Sequence, residues 1–175
     1  MLFNRLLEID KVSSSIGNVN YREAVRAVIM RKNKILMVHS INEDYKFPGG
    51  GMKKGESKIE ALVREVEEET GYICTKIIKK LGIVTEVSKD KYVNGRVFKM
   101  ISYYYIAEVS DEKKEQKLDD YEKKLGFTPV WVDLLEAIRN NERIIGLNIN
   151  NKPNWIDRET YVLKEIYNNL KCKIY

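Results

Sequence analysis

A helix with well-marked ends follows a glycine-rich loop in the segment "KFPGGGMKKGESKIEALVREVEEETGY", residues 46–72. The Pro-Gly-Gly-Gly run cannot lie inside a helix or a central strand, so it predicts a loop. Ser57 and Glu60 have the spacing of a capping box, which indicates where the helix begins. Gly71 is typical of a helix end. The segment therefore predicts a helix over residues 58–70.

The predicted helix concentrates negative charge on one side. Glu65, Glu68 and Glu69 occupy an arc of about 100°, which we expect to be exposed. Like charges at these spacings repel by roughly 0.2–0.5 kcal/mol per pair. Two of them lie in the last turn, where the helix dipole disfavours anions. The apolar residues occupy a second arc and are expected to face the core: Ile59, Leu62, Val63 and Val66.

The neighbouring glycine loop suggests what this charge is for. Glycines let the main chain approach a metal ion or a phosphate closely. Carboxylate oxygens are the ligands that Mg²⁺ or Mn²⁺ prefers when it shares its coordination shell with substrate phosphates. A solvated acidic surface is the alternative for an arbitrary helix, but it does not explain the loop. We therefore expect a divalent cation at this helix.

Loop and helix together resemble the Nudix box, G-x5-E-x7-R-E-U-x-E-E-x-G-U, in which U is a bulky apolar residue. The box spans residues 50–72, and each fixed position is filled, from Gly50 and Glu56 to the run "REVEEETG". Tyr72 is the one soft mismatch, because an aliphatic residue is usual there. The likeness extends over roughly residues 20–140, since the preceding hairpin and the later "VWV" strand are also similar to the family's domain.

The resemblance implies an α/β fold, namely a Nudix-type α/β/α sandwich with a mixed central β-sheet. It also implies Mg²⁺- or Mn²⁺-dependent hydrolysis of a diphosphate bond. The substrate would be a nucleoside diphosphate linked to another group, such as a nucleoside triphosphate or an oxidised nucleotide. Residues 1–175 are expected to form one such domain, with an extra C-terminal helix at about residues 157–170.

The family's metal ligands correspond to Glu65, Glu68 and Glu69, and Glu65 is also a candidate base for the attacking water. Gly49, just before the box, would offer its carbonyl oxygen to a metal ion. These assignments are implied by the resemblance and predict a metal site between loop and helix.

Other candidate residues surround this predicted metal site. Arg64 would orient the carboxylates by charge-assisted hydrogen bonds, and Glu56 would pair with it or bind a metal ion through water. A further acid often assists in this family, and Glu112 and Glu122 are the candidates. Arg26, on a predicted strand, is a candidate for binding a substrate phosphate.

Strand patterns fill much of the remaining chain. Residues 24–30 and 34–40 predict a hairpin, and two long strands follow the helix, joined across Asn94-Gly95. Pro129 places the "FTPVWV" strand at an edge of the sheet. Residues 110–126 predict a solvated helix or a mobile loop. A short helix "LLEAIRN" is expected next, followed by an irregular stretch over residues 140–155.

Composition narrows the class of protein. With 175 residues, 43% apolar and 33% charged, the chain has the size and composition of one globular domain. It lacks a bilayer-spanning apolar run, and its start lacks the apolar region of a secretion signal, so a cytoplasmic protein is expected. The net charge of +5 suits a phosphate-bearing ligand. We expect a nucleotide-type small molecule as partner, not a membrane or a nucleic acid, and a homodimer stays open.

Three other functions share features with this sequence. A non-catalytic Nudix-like module would bind or sense a nucleotide, but such modules usually lose box carboxylates. Isopentenyl diphosphate isomerases need a cysteine near the sheet, and Cys74 lies just after the box instead. An RNA 5′-end pyrophosphohydrolase would suit the basic charge, without a base-reading motif. Cys74 and Cys172 have no paired spacing, so a metal cluster or redox pair is not supported.

Overall fold

The computed structural model describes residues 1–10, 19–147 and 152–171. Within these ranges the chain forms seven strands and four helices. In chain order they are β1 Phe3–Glu8, β2 Val19–Arg31, β3 Lys34–His39, β4 Tyr45–Lys46, α1 Lys58–Thr70, β5 Tyr72–Lys89, β6 Val97–Lys113, α2 Asp120–Lys124, β7 Thr128–Asp133, α3 Leu134–Gly146 and α4 Ile156–Lys171.

The strands form a mixed sheet in the order β1-β5-β6-β2-β3-β4, and β7 pairs with β3. The pairs β1–β5 and β2–β6 are parallel, whereas β5–β6 and the pairs of β3 with β2, β4 and β7 are antiparallel. β7, which contains Pro129, pairs only with β3 within the described residues and is an edge strand, as predicted. The mixed sheet confirms the expected α/β fold class.

Side chains that alternate along the strands form two apolar cores, one on each face of the sheet. Val25, Ala27 and Ile29 of β2 pack with Leu62 and Val66 of α1. The opposite face packs against α3 and α4. That second core includes Val28, Met37, Phe47, Tyr104, Ile138, Val162 and Leu163. The layers confirm a sheet enclosed between helices.

Helix α1 has the predicted bounds. Ser57 and Glu60 form the capping box, and Gly71 ends the helix in the left-handed conformation with φ 73°. Two predicted core residues differ from the expectation: Ile59 remains 44% exposed, and Val63 is half-buried and belongs to neither apolar core. Ile59 lies in the first turn, and the apolar core on this face of the sheet includes the helix only from Ala61 onwards.

Helix α3 is longer than predicted. It continues to Gly146, so the expected irregular stretch is wrong over residues 140–146; residues 148–151 lie outside the described ranges. Asn141 is fully buried inside this helix, which masks the apolar pattern. Its side chain accepts a hydrogen bond from Tyr45 N at 2.9 Å and donates to Tyr45 O at 2.8 Å. A polar residue thus fixes α3 to β4.

Two further elements differ from the expectations. The sequence did not predict β1, whose register along β5 pairs residues almost eighty positions apart. Residues 110–126 are neither a single solvated helix nor a simple loop. β6 continues to Lys113, and the short helix α2 begins after Asp119, whose side chain accepts a hydrogen bond from Glu122 N at 2.8 Å.

The predicted C-terminal helix is present as α4, and it carries buried charge. Arg158 is 1% exposed and contacts the carboxylates of Glu86 on β5 and of Glu159 beside it. Glu159 also lies 3.7 Å from Arg26 Nε on β2. This network ties α4 to two strands of the sheet.

Two expectations from the sequence concern membranes and thiols. Among the described residues, no helix combines the length and apolar character that crossing a membrane requires. Cys74 is a free, half-buried thiol whose pKa is raised by burial, whereas Cys172 lies outside the described residues.

We predict that Arg158→Met lowers the free energy of unfolding by about 3–5 kcal/mol, because it leaves the buried Glu86 carboxylate without its cation and Glu159 with the more distant Arg26. Urea unfolding measures this change. Lys164→Met is the matched control, since Lys164 lies on the same helix and forms an exposed ion pair with Glu142 at 2.6 Å. That change should cost less than about 1 kcal/mol. Equal costs for the two variants would contradict the role given to the buried network.

Candidate active site

The glycine loop lies alongside β2 as an extra backbone pairing. Ala27 N donates to Pro48 O at 2.8 Å, and Val25 N donates to Gly50 O at 3.0 Å. Met52 N donates to Glu23 O at 3.0 Å and closes the segment. These bonds fix the loop between the sheet and helix α1.

Two glycines of this loop have no room for a side chain. Gly49 has φ +141°, and a Cβ there would lie 2.0 Å from Val25 O. A Cβ on Gly50 would lie 2.4 Å from Glu65 Oε2. The loop backbone therefore touches the strand on one side and a carboxylate of α1 on the other.

The expectation that the acidic residues of α1 share an exposed face is wrong for two of them. Glu65 is 7% exposed and Glu69 is 1% exposed. The reason is that polar backbone, not apolar side chains, covers this side of the helix: Glu69 Oε2 accepts a hydrogen bond from Gly49 N at 2.8 Å. Glu68 lies further round the helix, and its side chain remains one-third exposed.

Three carboxylates from helices α1 and α2 meet beside the glycine loop. Glu65, Glu69 and Glu122 each place an oxygen so that all three oxygens lie within 4.8 Å of one another. Glu122 comes from α2, where its other contact is the capping hydrogen bond that it accepts from Asp119 N at 2.9 Å. The structure thus brings one of the two predicted assisting acids to the cluster. Glu112, in contrast, is exposed near the end of β6 and is not part of it.

Arg64 binds the carboxylates around the cluster. Its Nε and Nη2 donate to the two oxygens of Glu56 at 2.7 and 2.8 Å. Its Nη1 donates to Glu65 Oε1 at 2.7 Å and to Glu68 Oε2 at 2.9 Å. Arg64 Nη2 also contacts Gly51 O at 3.3 Å. One guanidinium thus holds the loop and three carboxylates in a fixed arrangement.

A second cation lies on the opposite side of the cluster and was not anticipated from the sequence. Lys46 Nζ donates to Glu69 Oε1 at 2.5 Å and to Gly49 O at 3.4 Å. The side chain is buried, and its ammonium lies 4.5 Å from the centre of the Phe127 ring. A lysine on a two-residue strand has no local sequence signal that marks it as a site residue.

Comparison with known proteins decides the family. The NUDIX domain family model matches residues 20–148. The chain belongs to the NUDIX domain family. This confirms the resemblance, which rested on the box and on the strand patterns around it.

The chain is also similar to two curated relatives and to one solved structure. An ADP-ribose pyrophosphatase of Methanocaldococcus jannaschii is 36% identical in an alignment of length 117 that covers 59% of this chain and 66% of that protein. A methanol dehydrogenase activator of Bacillus methanolicus is 28% identical in an alignment of length 142 that covers 74% of this chain and 69% of that protein. A NUDIX hydrolase from Nitrosomonas europaea shares the fold with TM-score 0.59 at 21% identity, over 86% of this chain and 90% of that one.

Burial raises the pKa values of the three carboxylates in the cluster, Glu65, Glu69 and Glu122. Desolvation raises the pKa of Glu65, and the neighbouring Glu69 carboxylate adds to this effect, which the Arg64 guanidinium opposes. Desolvation likewise raises the pKa of Glu69 against the opposing influence of Lys46, and it raises the pKa of Glu122. Glu56 behaves in the opposite way, because its hydrogen bonds from Arg64 lower its pKa to about 2.

The carboxylate oxygens of Glu65, Glu69 and Glu122 suit the binding of a divalent cation. Its oxygens are hard ligands, and the Gly49 carbonyl oxygen is close enough to share the Lys46 ammonium with Glu69. Two protein cations, Lys46 and Arg64, already contact oxygens that the family assignment would give to a metal ion. Glu68 faces Arg64 and Lys53 instead of the three-oxygen cluster.

Arg26 is close to the cluster but not open to solvent. It is buried, and its Nε lies 3.7 Å from Glu159 Oε1 of α4. Phe47 N donates to Glu159 Oε2 at 3.2 Å. Arg26, the candidate for binding a substrate phosphate, is therefore paired with a carboxylate that also accepts a hydrogen bond from the residue just before the Pro-Gly-Gly-Gly loop.

We predict that Gly49→Ala destabilises the fold more than Gly55→Ala. Both residues have positive φ, so each substitution carries a backbone cost of about 1–3 kcal/mol. A Cβ at Gly55 meets nothing within 4 Å, whereas at Gly49 it meets a strand carbonyl. Overpacking should add about 1–3 kcal/mol for Gly49→Ala in urea unfolding. Indistinguishable unfolding midpoints would show that the close approach of loop and strand is unimportant.

Proposed function

We propose that this chain hydrolyses a diphosphate bond in a nucleoside diphosphate linked to another group, with Mg²⁺ or Mn²⁺ as cofactor. The observation that carries the proposal is the meeting of three carboxylate oxygens within 4.8 Å, next to a loop whose Gly49 carbonyl faces the same space. Glu65, Glu69 and the Gly49 carbonyl are the proposed metal ligands. Glu68, which Arg64 holds beside Glu65, is a ligand for the outer part of the same site.

A bound divalent ion would neutralise phosphate oxygens and lower the pKa of a coordinated water. The protein's own contribution is to hold the groups that act with it. Glu65 Oε1 is fixed by Arg64, while Glu65 Oε2 faces the position that a side chain on Gly50 would fill. Its raised pKa suits a base that takes a proton from the attacking water. Glu65 is therefore the proposed general base.

Arg64 and Glu56 are proposed to position the base. Glu56 stays ionised, with its pKa near 2, and so keeps the guanidinium in one orientation through two parallel hydrogen bonds. Glu122 is the proposed assisting acid, because burial raises its pKa and it lies opposite α1 across the cluster. Glu112 receives no role, since it is exposed and is not part of the cluster.

The substrate is proposed only as a class. The relative named ADP-ribose pyrophosphatase supports a nucleoside diphosphate attached to a second group. A Pro that marks many ADP-ribose hydrolases about 15 residues beyond the box is missing here, where the chain reads "TEVSKD". A panel of ADP-ribose, nucleoside triphosphates, an oxidised nucleotide and 5′-triphosphorylated RNA would therefore identify the substrate and the bond that breaks.

We predict that Glu65→Gln lowers kcat on the best substrate of this panel by about 10²–10⁴-fold, because it removes a proton acceptor and a ligand charge. Product release in the presence of Mg²⁺ measures the loss. Glu67→Gln is the matched control, since Glu67 lies on the same helix but is not part of the cluster. Its carboxylate instead lies near Cys74, whose pKa it helps to raise.

The proposal predicts that Glu67→Gln stays within about threefold of the unmodified protein, a change worth less than 1 kcal/mol. Undiminished turnover in Glu65→Gln would remove the proposed base. Binding of nucleotides without turnover of any of them would instead favour the non-catalytic module.

A further inference from the structure

Lys46 holds a position in the site that the proposed mechanism does not use. Its ammonium donates to Glu69 Oε1 at 2.5 Å and to the Gly49 carbonyl at 3.4 Å, which are two of the proposed metal ligands. The other oxygen of Glu69 is bound by Gly49 N at 2.8 Å. Lysine, peptide amide and carboxylate thus form a closed set of contacts.

The ion pair between Lys46 and Glu69 is buried, so its electrostatic attraction is opposed by the loss of hydration of both charges. Both side chains are almost fully enclosed, with 7% and 2% of their surfaces exposed. Burying an ionised carboxylate away from water is unfavourable unless a cation or hydrogen-bond donors inside the protein compensate for the lost hydration. Within the described residues near Glu69, Lys46 is the cation in direct contact with its carboxylate, whereas Arg64 contacts Glu65 and Glu68 instead.

The Lys46 ammonium and a divalent cation cannot both lie beside Glu69 and the Gly49 carbonyl without strong repulsion. A divalent ion bound by Glu69 and the Gly49 carbonyl would approach the atoms that the ammonium now contacts. Two cations that close together repel each other strongly, because a partly buried site screens their charges less than water does. Metal binding therefore requires the ammonium to move away from Glu69.

We propose that Lys46 is a positioning residue that serves as the internal counter-ion of the metal site, competing with the divalent cation for Glu69 and the Gly49 carbonyl. This inference rests on the proposed metal-dependent function. In the metal-free protein, Lys46 pairs with Glu69 and holds its carboxylate against the loop. In the metal-loaded protein, the ion takes over both contacts. The lysine thus stabilises the empty site and weakens the affinity for metal.

The test is Mn²⁺ binding without any substrate, measured by calorimetric titration or by the electron paramagnetic resonance signal of free Mn²⁺. Lys46→Met removes the competing charge and should bind Mn²⁺ about 10- to 100-fold more tightly, as expected for the loss of a neighbouring like charge. In EDTA the same variant should melt at a lower temperature than the unmodified protein. A residue with only a structural role would not tighten metal binding.

Two further variants keep the test decisive. Lys46→Gln retains a hydrogen-bond donor for Glu69 without the charge, so it should also bind Mn²⁺ more tightly. It replaces Lys46→Met in the test if that variant does not fold. Lys46→Arg restores the charge and should return the affinity towards that of the unmodified protein. Lys123→Met is the matched control for net charge, because Lys123 is exposed on α2 beside Glu122. It should change the affinity by less than about threefold.

Each outcome has a separate meaning. Tighter binding by the neutral Lys46 variants alone supports the competition. Unchanged or weaker binding in Lys46→Met and Lys46→Gln overturns it while leaving the metal site intact, and so does an equal gain in Lys123→Met. Absence of Mn²⁺ binding by the unmodified protein overturns the metal-dependent function itself.

Discussion

Glu69 has both carboxylate oxygens engaged inside the protein, one by the Lys46 ammonium and the other by Gly49 N. Next to it, Glu65 is almost as deeply buried and is held by Arg64. Buried carboxylates need such partners, because their charge is otherwise poorly solvated. The glycine loop, the bound arginine and the buried lysine are all consequences of placing this negative charge between helix and sheet.

The rest of the fold holds these partners in place. The loop is hydrogen-bonded along β2, and α1 is packed on the same face of the sheet through Leu62 and Val66. On the other face, α4 uses Glu159 to bind Phe47 N, one residue before the proline of the loop. Both faces of the sheet therefore contribute to one site, and the buried charges of α4 stabilise a loop that is distant from them in sequence.

Local signals in the sequence were reliable where the structure depends on neighbours in the chain. The bounds of α1 follow from Ser57, Glu60 and Gly71, all of which act within one helical turn. Contacts between distant residues were not predictable in this way. Whether Glu65 and Glu69 are exposed depends on which backbone covers the helix, and the arc of charge alone pointed to the wrong answer.

The same limit explains the other differences. Lys46 meets Glu69 only because the loop folds back, and Arg158 meets Glu86 across 72 positions of the chain. Asn141 interrupts the apolar pattern of α3 because it binds the backbone of Tyr45. The family pattern identified the helix carboxylates and Arg64 as candidates, but it did not choose between Glu112 and Glu122. The structure separates these two acids, since only Glu122 shares the cluster within the described residues.

The proposed chemistry depends on a divalent-cation site formed by the buried carboxylates of α1 and the loop carbonyl. Anomalous X-ray diffraction from crystals soaked in Mn²⁺ tests this site directly, because it locates the ion without reference to activity. We expect an anomalous peak within coordination distance of Glu65, Glu69 and the Gly49 carbonyl oxygen, with the Lys46 ammonium moved away. Crystals in which Mn²⁺ binds only elsewhere, while Lys46 and Glu69 stay paired, would show that this metal site is wrong.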